Sequence, residues 1–390
     1  MNASTPRRIL YYCQSLLGVG HIACSMRIIE ELLPHCEVDL IQGGLEAARM
    51  LEHPNLRRLK QANLLHDHAT HELFDPLGAR TVDEIWLERE KEIAAFLRGR
   101  YDAIVVEFYP FGRRRLKREI VNLFNAVRAS SGPIPIFCAV REVLVPGTPE
   151  QERRIVQTIR KYIHTVFVRG DPNVIRFDET FACTPEIEDR LVYTGFVGAQ
   201  LPARRPPRKK QILVSQGGGS IGPELIDGAI QAAALMRDYR FVLVMGARTT
   251  SQQRAGVRER VRNANVDVVA FLADFQQHMM ESAVSISLGG DNTLSDLLTA
   301  RTPGLAYPYQ GNSEQRFRIR KFVEKGLLLE LSAQDLEGPR LKAMIERALA
   351  LPAAQRDVAV DGARVTAEKI RGLLQPREMV GHAGPLAASV

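Results

Sequence analysis

The sequence predicts an α/β protein of two Rossmann-like, doubly wound domains that face each other across a cleft. Its 390 residues are enough for two domains that each bury a core of their own. In both halves, short apolar runs of strand length alternate with helical patterns, which is typical of parallel sheets. Between the halves, Leu201–Lys210 holds three prolines and five basic residues, a composition typical of a linker. We therefore predict domains at residues 1–200 and 211–375, a linker at 201–210 and a disordered tail at 376–390.

Composition predicts a soluble, cytoplasmic protein with an anionic ligand. Apolar residues make up 45% of the chain and charged residues 25%, which is typical of globular proteins. The five cysteines include no C-x-x-C pair and fit reduced thiols. The N-terminus lacks the apolar segment of a signal peptide, and no apolar run approaches the ~20 residues of a membrane span. The net charge of +7 suits an anionic ligand, whereas no helix-turn-helix or zinc-finger pattern indicates a nucleic-acid partner.

A glycine-containing loop near the N-terminus supplies the first candidate catalytic residue. An apolar strand at Ile9–Cys13 leads towards the sequence LLGVGH, and a helix with apolar residues at helical spacing follows. Gly18 and Gly20 permit a tight turn that would place His21 at the carboxyl edge of the sheet, facing the cleft. Because imidazole accepts a proton near neutral pH, His21 is the candidate general base, with a helix-capping role as the alternative.

Two acidic residues reach the same edge of the predicted sheet. The buried strand at Tyr101–Phe108 contains Glu107 near its end, and the strand at Ile134–Val140 is followed closely by Glu142. Either carboxylate could orient His21 or contact hydroxyl groups of a substrate. The sequence does not choose between them.

A basic run follows the Tyr101–Phe108 strand, where a helix is predicted to begin. The helix macrodipole disfavours cations at this end, so an anion that offsets their repulsion would explain the run. Arg113 and Arg114 are therefore candidate ligands of an anion, either on a substrate or on a membrane surface. A solvated helix face is the alternative. The run consists of Arg113, Arg114, Arg115, Lys117 and Arg118.

A polar loop at about His66–Gly78 contains three histidines. It follows a predicted strand–helix unit at Val38–Leu51, and we predict that it overhangs the cleft and helps to bind a substrate. A metal site is the alternative, because part of an H-x-H-x-D-H pattern is matched by His66, His68 and His71.

Two glycine-containing turns in the second half are predicted to bind phosphate. The first spans Gln216–Ser220, where Gly218 and Gly219 precede a helix that begins at about Pro223. Successive backbone N–H groups in such a turn form a cradle for an anion.

The second turn follows the predicted strand Val284–Leu288. The chain breaks at Gly289-Gly290, and Asp291 or Asn292 can N-cap the helix that follows. Free backbone N–H groups at a helix start, at the carboxyl edge of a sheet, bind phosphate well. Asp296 lies one turn into the helix, within reach of the hydroxyls of a ribose. An ordinary βαβ unit is the alternative.

This second segment resembles the donor-binding signature of GT-B glycosyltransferases and is most similar to family 28, the family of the peptidoglycan N-acetylglucosaminyltransferase. The LLGVGH loop likewise resembles the family's glycine-rich first loop, which ends in a functional histidine. Two differences concern the donor: the ribose-binding acid, usually Glu, is Asp296, and Gln315-Arg316 replaces a pair of glutamines. The family's order and spacing are matched by Asn292, Thr293, Asp296, Pro303, Pro308 and Gln315.

The resemblance implies a GT-B fold and an inverting transfer of a hexosyl or N-acetylhexosaminyl group from a nucleoside diphosphate sugar, which we expect to be UDP-linked. His21 would be the base, and Glu107 or Glu142 would assist it. The last predicted helix, within Val358–Leu374, would pack back across the first domain. The residues implied to bind the uracil, diphosphate, ribose and sugar of the donor are Gly218, Gly219, Phe271, Leu272, Asp291, Asn292, Thr293, Asp296, Gln315 and Arg316. The candidate acceptor-binding residues are Gly18, Gly20, Arg113 and Arg114.

The chain contains no Asp-x-Asp pair, so we expect no obligatory metal and no cofactor beyond the nucleotide-sugar co-substrate. The expected acceptor is a small molecule or is lipid-linked, and peripheral contact with a membrane stays open. Two other functions also fit the sequence. One is a UDP-N-acetylglucosamine 2-epimerase, which would share the fold and the donor site, and the other is a non-catalytic nucleotide-sugar binding subunit.

Overall fold

The structure consists of two parallel β-sheets, each flanked by helices, in successive halves of the chain. The computed structural model describes residues 6–16, 18–46, 50–67, 72–200, 202, 204–217, 222–246, 249–262, 264–309, 311–351 and 357–374. All neighbouring strands within each of the two large sheets are parallel. This architecture confirms the predicted α/β class with two Rossmann-like domains.

The first domain contains a seven-stranded sheet and a small hairpin. Its strands are β1 (Arg7–Ser15), β2 (Cys36–Gly44), β3 (Leu56–Lys60), β4 (Leu65–His66), β5 (Leu73–Phe74), β6 (Ala103–Glu107), β7 (Ile136–Arg141), β8 (Thr165–Arg169) and β9 (Leu191–Tyr193). Its helices are α1 (Gly20–Leu32), α2 (Val82–Phe96), α3 (Lys117–Ser131) and α4 (Pro149–Tyr162), with short 3₁₀ helices at Arg114–Leu116, Phe177–Glu179 and Thr184–Arg190. The strand order of the large sheet is β3-β2-β1-β6-β7-β8-β9, and β4 pairs with β5.

The second domain contains a six-stranded sheet. Its strands are β10 (Lys209–Ser215), β11 (Arg240–Val244), β12 (Val266–Val269), β13 (Ser282–Ser287), β14 (Gly304–Ala306) and β15 (Leu329–Glu330). The helices are α5 (Pro223–Leu235), α6 (Ser251–Arg260), α7 (Phe275–Glu281), α8 (Asp291–Ala300), α9 (Ser313–Glu324), α10 (Gly338–Ala350) and α11 (Gly362–Leu373), with a 3₁₀ helix at Ala333–Leu336. The strand order is β12-β11-β10-β13-β14-β15.

The strand orders define where a ligand can bind. In each sheet, the order in which the chain adds strands changes direction at one point. This point lies between β1 and β6 in the first sheet and between β10 and β13 in the second. The loops that leave two such strands diverge, and the crevice between them at the carboxyl ends is the usual ligand site of an open α/β sheet. His21 and Glu107 flank the first crevice, and the start of α8 flanks the second.

Local signals in the sequence explain where several helices begin. Thr148 caps α4: its hydroxyl accepts the Gln151 N–H at 3.3 Å, and the Gln151 side chain accepts the Thr148 N–H at 3.2 Å. Pro149 takes the first helical position, where no N–H is needed. The same reciprocal cap occurs at Thr81 before α2 and at Thr250 before α6.

The start of α8 differs from the prediction that Asp291 or Asn292 would be its N-cap. Gly290 is the N-cap, with an extended φ of −64° and ψ of 146°, and no side chain caps the helix. Gly289 before it has a φ of +72°, and a Cβ there would lie 2.4 Å from the Ile319 side chain, so this turn requires glycine. The side chains of Asp291 and Asn292 are bound by other groups at the cleft instead.

Three further elements differ from the sequence-based prediction. β10 begins at Lys209, so the last two residues of the predicted linker 201–210 belong to a strand. The predicted helix at the basic run begins with the 3₁₀ turn, because Arg113 has a left-handed φ of 61° that an α-helix cannot include. The predicted strand–helix unit at Val38–Leu51 is a strand, β2, and the described residues 45–46 and 50–55 are not helical.

The last helix returns to the first domain. Ala363, Ala367 and Ile370 of α11 are buried in the same hydrophobic cluster as the inner face of α1. This confirms the return that the family resemblance implied. The predicted tail at 376–390 lies outside the described residues.

The two domains share a buried apolar interface. Val143, Ile175 and Phe196 of the first domain join one hydrophobic cluster with Ile319 and Phe322 of α9. The rings of Phe196 and Phe322 meet edge to face, with centroids 5.5 Å apart. This packing holds α9 against the first sheet, close to the end of β7.

Candidate active site

His21 and Glu107 form a hydrogen-bonded pair at the reversal point of the first sheet. His21 is the second residue of α1, and Glu107 is the last residue of β6, the neighbour of β1. The His21 Nδ1 atom lies 2.9 Å from Glu107 Oε1, and the same oxygen pairs with Arg169 at 3.0 Å. Because Nδ1 is engaged, Nε2 is the imidazole nitrogen available to a substrate. The structure therefore brings Glu107, and not Glu142, to His21.

The surroundings keep His21 neutral at physiological pH. Burial lowers the pKa of His21 well below its usual value of 6.5. The guanidinium groups of Arg113, Arg141 and Arg169 lower this pKa further. Burial raises the pKa of Glu107 to about 6, although Arg169 and Arg113 oppose the rise. A neutral imidazole beside an ionised carboxylate can accept a proton at Nε2 near pH 7.

Three arginines beside the His21–Glu107 pair carry donors without a protein partner. Arg169 is only 4% exposed, and Arg141 pairs with Glu314 at 2.9 Å through one nitrogen. Within the described residues, the buried nitrogens without an acceptor include Arg113 Nε, Arg141 Nε, and Arg169 Nε and Nη1. Each buried donor left unpaired costs about 1–3 kcal/mol. Four of them next to one histidine indicate a binding site rather than a structural cluster.

Glu142 has a different partner, across the domain interface. Its carboxylate accepts a hydrogen bond from Arg318 Nε of α9, and both side chains are at most 2% exposed. Burial raises the pKa of Glu142, and Arg318 opposes that rise. The predicted assisting role of Glu142 is therefore not supported by its position, because its carboxylate connects the domains instead of contacting His21.

The start of α8 meets the His21 loop directly. Asn292 Nδ2 donates to the Gly20 carbonyl at 3.1 Å, and Cys24 Sγ donates to Asn292 Oδ1 at 3.2 Å. The first hydrogen bond of α8 runs from Leu294 N–H to the Gly290 carbonyl. The backbone N–H groups of the three residues before Leu294 are thus not used by the helix and remain available to an anion.

Asp291 is the charged residue at this helix start. Burial opposes its ionisation, but Arg318, Arg169 and Arg141 outweigh burial and lower its pKa. Arg318 Nη2 lies 4.0 Å from its carboxylate. Asp291 therefore faces the arginines of the cleft, which explains why it does not cap α8.

Asp296, the predicted ribose ligand, is bound by the first domain in this structure. Arg27 of α1 pairs with its Oδ1 at 2.9 Å and donates to its Oδ2 at 3.1 Å. The Ala199 N–H donates to Oδ1 at 2.9 Å, and Gln276 Nε2 lies 3.4 Å from Oδ2. These four donors occupy the lone-pair positions of the carboxylate, and the residue is only 5% exposed. A ribose can reach Asp296 only if a donor such as Arg27 moves away.

The other predicted donor-binding residues differ in exposure. Phe271, which follows β12, is 50% exposed, and Leu272 beside it is half-buried. Gln315 has a buried Oε1 that no donor of the described residues reaches, whereas Arg316 is exposed. Thr293 is half-buried in the first turn of α8. The predicted cradle at Gly218 and Gly219 lies outside the described residues.

The predicted acceptor-binding residues divide into two groups. Gly18 lies in the loop before α1, and Gly20 is the first residue of α1 and presents its carbonyl to the second domain. Arg113 lies beside His21, but Arg114 is exposed on the 3₁₀ turn. The structure therefore places only the first arginine of the run at the site.

Sequence reasoning gave no role to four basic residues of the site and its interface: Arg27, Arg141, Arg169 and Arg318. Arg169 could have been found, because it ends β8 just as Glu107 ends β6, at the edge where ligands bind. Arg27 and Arg318 lie inside helices and meet partners far away in the sequence, 269 and 176 residues apart. No local pattern marks such residues.

The described part of the chain contains neither a candidate metal site nor a membrane-spanning helix. Within the described residues, no group of three or more His, Cys, Asp or Glu side chains could hold a metal ion. Two members of the predicted histidine pattern, His68 and His71, lie outside those residues. Among the helices that the structure describes, none is long and apolar enough to cross a membrane.

Comparison with known proteins relates the second domain to a family of enzymes. Residues 213–368 match the glycosyltransferase family 28 C-terminal domain. An uncharacterised glycosyltransferase of Methanopyrus kandleri is 24% identical over 55% of this chain and 63% of its own length. The UDP-N-acetylglucosamine--N-acetylmuramyl-(pentapeptide) pyrophosphoryl-undecaprenol N-acetylglucosamine transferase of Thermotoga neapolitana is 25% identical over 46% of this chain and 47% of its own length. The chain therefore spans about half the length of the curated relatives that it matches.

Solved structures resemble the whole chain. The calicheamicin glycosyltransferase CalG4 aligns with 95% of this chain and 98% of its own, with a TM-score of 0.61 at 16% identity. MurG of Acinetobacter baumannii aligns with 94% of this chain and 100% of its own, with a TM-score of 0.58 at 16% identity. The chain therefore has the GT-B fold of these glycosyltransferases, and its second domain is similar to the C-terminal domain of glycosyltransferase family 28.

Proposed function

We propose that this protein is a glycosyltransferase that moves a sugar from a UDP-sugar to a hydroxyl group of an acceptor, with inversion at the anomeric carbon. The observation that carries the proposal is the contact between the His21–Glu107 pair and the start of α8, made through the Asn292–Gly20 hydrogen bond. A direct displacement needs a base on one side and stabilisation of the leaving diphosphate on the other. The name of the Thermotoga relative specifies UDP-N-acetylglucosamine, which supports a UDP-linked donor.

The first domain would supply the base. His21 accepts the proton of the acceptor hydroxyl at Nε2 while the oxygen attacks the anomeric carbon opposite the diphosphate. Glu107 holds the imidazole through Nδ1 and stabilises the imidazolium that forms. A single displacement of this kind inverts the anomeric configuration.

The second domain would hold the donor. The free N–H groups at the start of α8, together with its macrodipole, stabilise the negative charge of the diphosphate. Phe271 offers an exposed aromatic ring to the uracil, and the buried Gln315 Oε1 can accept a hydrogen bond from the sugar. Because these groups would stabilise the leaving charge, the proposed reaction requires no metal ion.

The proposal is tested by UDP release from a panel of UDP-sugars, each offered with a panel of acceptors. We expect one UDP-sugar to be consumed, a product of inverted anomeric configuration, and no effect of EDTA on the rate. Free epimerised sugar without transfer would support the 2-epimerase alternative. Binding of UDP without turnover of any UDP-sugar would support a non-catalytic binding subunit.

Replacing Asp296 with alanine should weaken UDP binding roughly tenfold or more, because a lost hydrogen bond to a charged group costs ~1.5–3 kcal/mol. The prediction assumes that Asp296 releases Arg27 and binds the ribose. Gln315→Ala should leave the affinity for UDP unchanged and weaken binding of the UDP-sugar. Calorimetric titration of both variants with UDP and with the UDP-sugar measures the two effects.

Arg27→Ala is the matched control for the ribose role. If Asp296 exchanges Arg27 for the ribose, this variant lacks a competitor and should bind UDP at least as tightly as the wild type. Equal weakening of UDP binding in Arg27→Ala and Asp296→Ala would contradict the ribose role. In that case Arg27 and Asp296 would affect the affinity for UDP only by holding the two domains together.

A further inference from the structure

We infer that the acceptor carries a carboxylate or phosphate group close to its nucleophilic hydroxyl, and that Arg113, Arg141 and Arg169 bind this group beside His21. That the bound molecule is an acceptor rests on the proposed function. The anion site itself depends only on how the three arginines are arranged.

The sheet places two of these arginines side by side. Arg141 ends β7 and Arg169 ends β8, and the two are register partners in neighbouring parallel strands. Register partners present their side chains on the same face, so two cations there repel each other. Each guanidinium has one carboxylate partner, Glu314 for Arg141 and Glu107 for Arg169. These pairs use only part of the donor capacity of the two side chains.

An unusual loop brings in the third arginine. Phe108 and Arg113 have φ values of 69° and 61°, a left-handed backbone that is unfavourable for residues other than glycine and is often found at functional sites. The Phe108 ring lies 5.7 Å from the Arg113 guanidinium and 4.9 Å from that of Arg141. The ring of His21 lies 5.1 Å from the same ring. Two cations and the proposed base therefore converge on one aromatic side chain.

The carboxylates of the cleft do not satisfy this cluster. Glu107 pairs with Arg169, and Glu314 pairs with Arg141. The carboxylate of Asp291 lies 4.0 Å from Arg318 Nη2. Among the described residues, Arg113 forms no ion pair, and its buried Nε has no acceptor. The guanidinium of Arg113 is thus left without a carboxylate partner next to His21.

The donors left over match the oxygens of a single anion. They are Nε of Arg113, Nε of Arg141, and Nε and Nη1 of Arg169, all buried. Guanidinium groups bind carboxylate and phosphate through charge-assisted, often bidentate hydrogen bonds. Several buried N–H groups on side chains around His21 therefore favour a compact anion with two or three oxygens.

The position of the cluster favours the acceptor over the donor. All three arginines belong to the first domain, whereas the proposed diphosphate cradle is the start of α8 in the second. The arginines also act on the base, because their charges lower the pKa of His21. A bound anion would offset these charges and make the imidazole a stronger base when the acceptor is in place. The anion would then lie next to the hydroxyl that His21 deprotonates.

The first test uses inorganic phosphate as the probe. Phosphate is titrated calorimetrically into the full-length protein saturated with UDP, so that the donor site is occupied. We expect one phosphate site, and roughly tenfold or greater weakening in Arg113→Gln. Arg115→Gln is the control, because Arg115 is exposed on the adjacent 3₁₀ turn and should leave phosphate affinity unchanged. Unchanged UDP affinity shows that Arg113→Gln is folded.

Three outcomes of this titration would overturn the inference. Wild-type protein that binds no phosphate has no such site, and Arg113→Gln with wild-type affinity removes Arg113 from it. Phosphate binding that disappears when UDP is added would assign the arginines to the diphosphate of the donor instead of the acceptor.

The second test measures how anion binding changes the pKa of His21. Its imidazole is titrated by NMR with and without phosphate, and we expect phosphate to raise the pKa by offsetting the arginines. Arg113→Gln should raise the pKa without phosphate and reduce the further rise, whereas Arg115→Gln should do neither. A His21 pKa that is insensitive to both phosphate and Arg113→Gln contradicts an anion site beside the base.

Matched acceptors separate this inference from the proposed function. The wild type should use a hydroxy acid with about tenfold or higher kcat/KM than the corresponding amide, and Arg113→Gln should lose this preference. Equal use of acid and amide, with transfer intact, would refute the anionic acceptor and leave the proposed function standing. If no transfer is found with any acceptor, the phosphate titration still decides whether the anion site exists.

Discussion

Replacing His21 with alanine is expected to lower kcat by ~10²–10⁴, the usual contribution of a positioned general base. The affinity for UDP should stay unchanged, because His21 belongs to the first domain and the donor to the second. Steady-state kinetics and calorimetric titration with UDP measure the two quantities separately. A His21→Ala variant with nearly full turnover would remove His21 from the mechanism.

The pH profile gives an independent check of the His21–Glu107 pair. Since burial raises the pKa of Glu107 to about 6, kcat/KM should be constant above this pH and fall as the pH drops through it. Protonation of Glu107 removes the ionised partner that holds His21 and stabilises the imidazolium. Glu107→Gln is therefore expected to lower kcat and to remove this acid limb. An unchanged profile in Glu107→Gln would show that another group titrates.

Strand ends explain why much of the site could be predicted from the sequence. The apolar runs at Ile9–Cys13 and Tyr101–Phe108 become β1 and β6, and parallel strands bring their carboxyl ends to one edge. His21 and Glu107 follow directly from these local patterns. Their distance of 2.9 Å then follows from the neighbouring positions of β1 and β6 in the sheet.

The choice between Glu107 and Glu142 could not be predicted, because it depends on partners far away in the sequence. Glu142 is buried against Arg318, which lies on a helix of the other domain. Asp296 is bound by Arg27 in the same way, so the residue that matched a ribose ligand by spacing became part of the interface. Local sequence defines where a side chain starts, but the packing of the domains decides what it contacts.

The basic run shows a second limit of local reasoning. A helix starting within the run would have placed Arg113 and Arg114 on one anion-binding turn. The left-handed backbone at Arg113 separates them, so Arg113 is directed to His21 and Arg114 to solvent. Such a conformation is rare for arginine and has no sequence signal, because it is stabilised by the surrounding structure.

Arg318→Met is expected to lower the free energy of unfolding by about 3–5 kcal/mol, because it leaves the buried carboxylate of Glu142 without its partner. Methionine retains much of the apolar volume of the arginine, so loss of the ion pair dominates the effect. Lys321→Met, a substitution on the same helix, is the matched control. Lys321 pairs with Glu179 of the first domain, but both side chains are more than 20% exposed. That change should cost at most about 1 kcal/mol.

The loss in Arg318→Met should also depend on pH, and the sign follows from Glu142. Burial raises the pKa of Glu142 above its usual 4.5 even beside Arg318, and without Arg318 the pKa rises further. A carboxyl group whose pKa is raised by folding stabilises the folded protein below the unfolded pKa and loses this contribution as the pH rises through the folded value. Urea denaturation should therefore show a smaller loss near pH 5 than near pH 8, and Glu142→Gln combined with Arg318→Met should remove the difference. Equal losses at both pH values would mean that the ionised Glu142 finds another partner when Arg318 is absent.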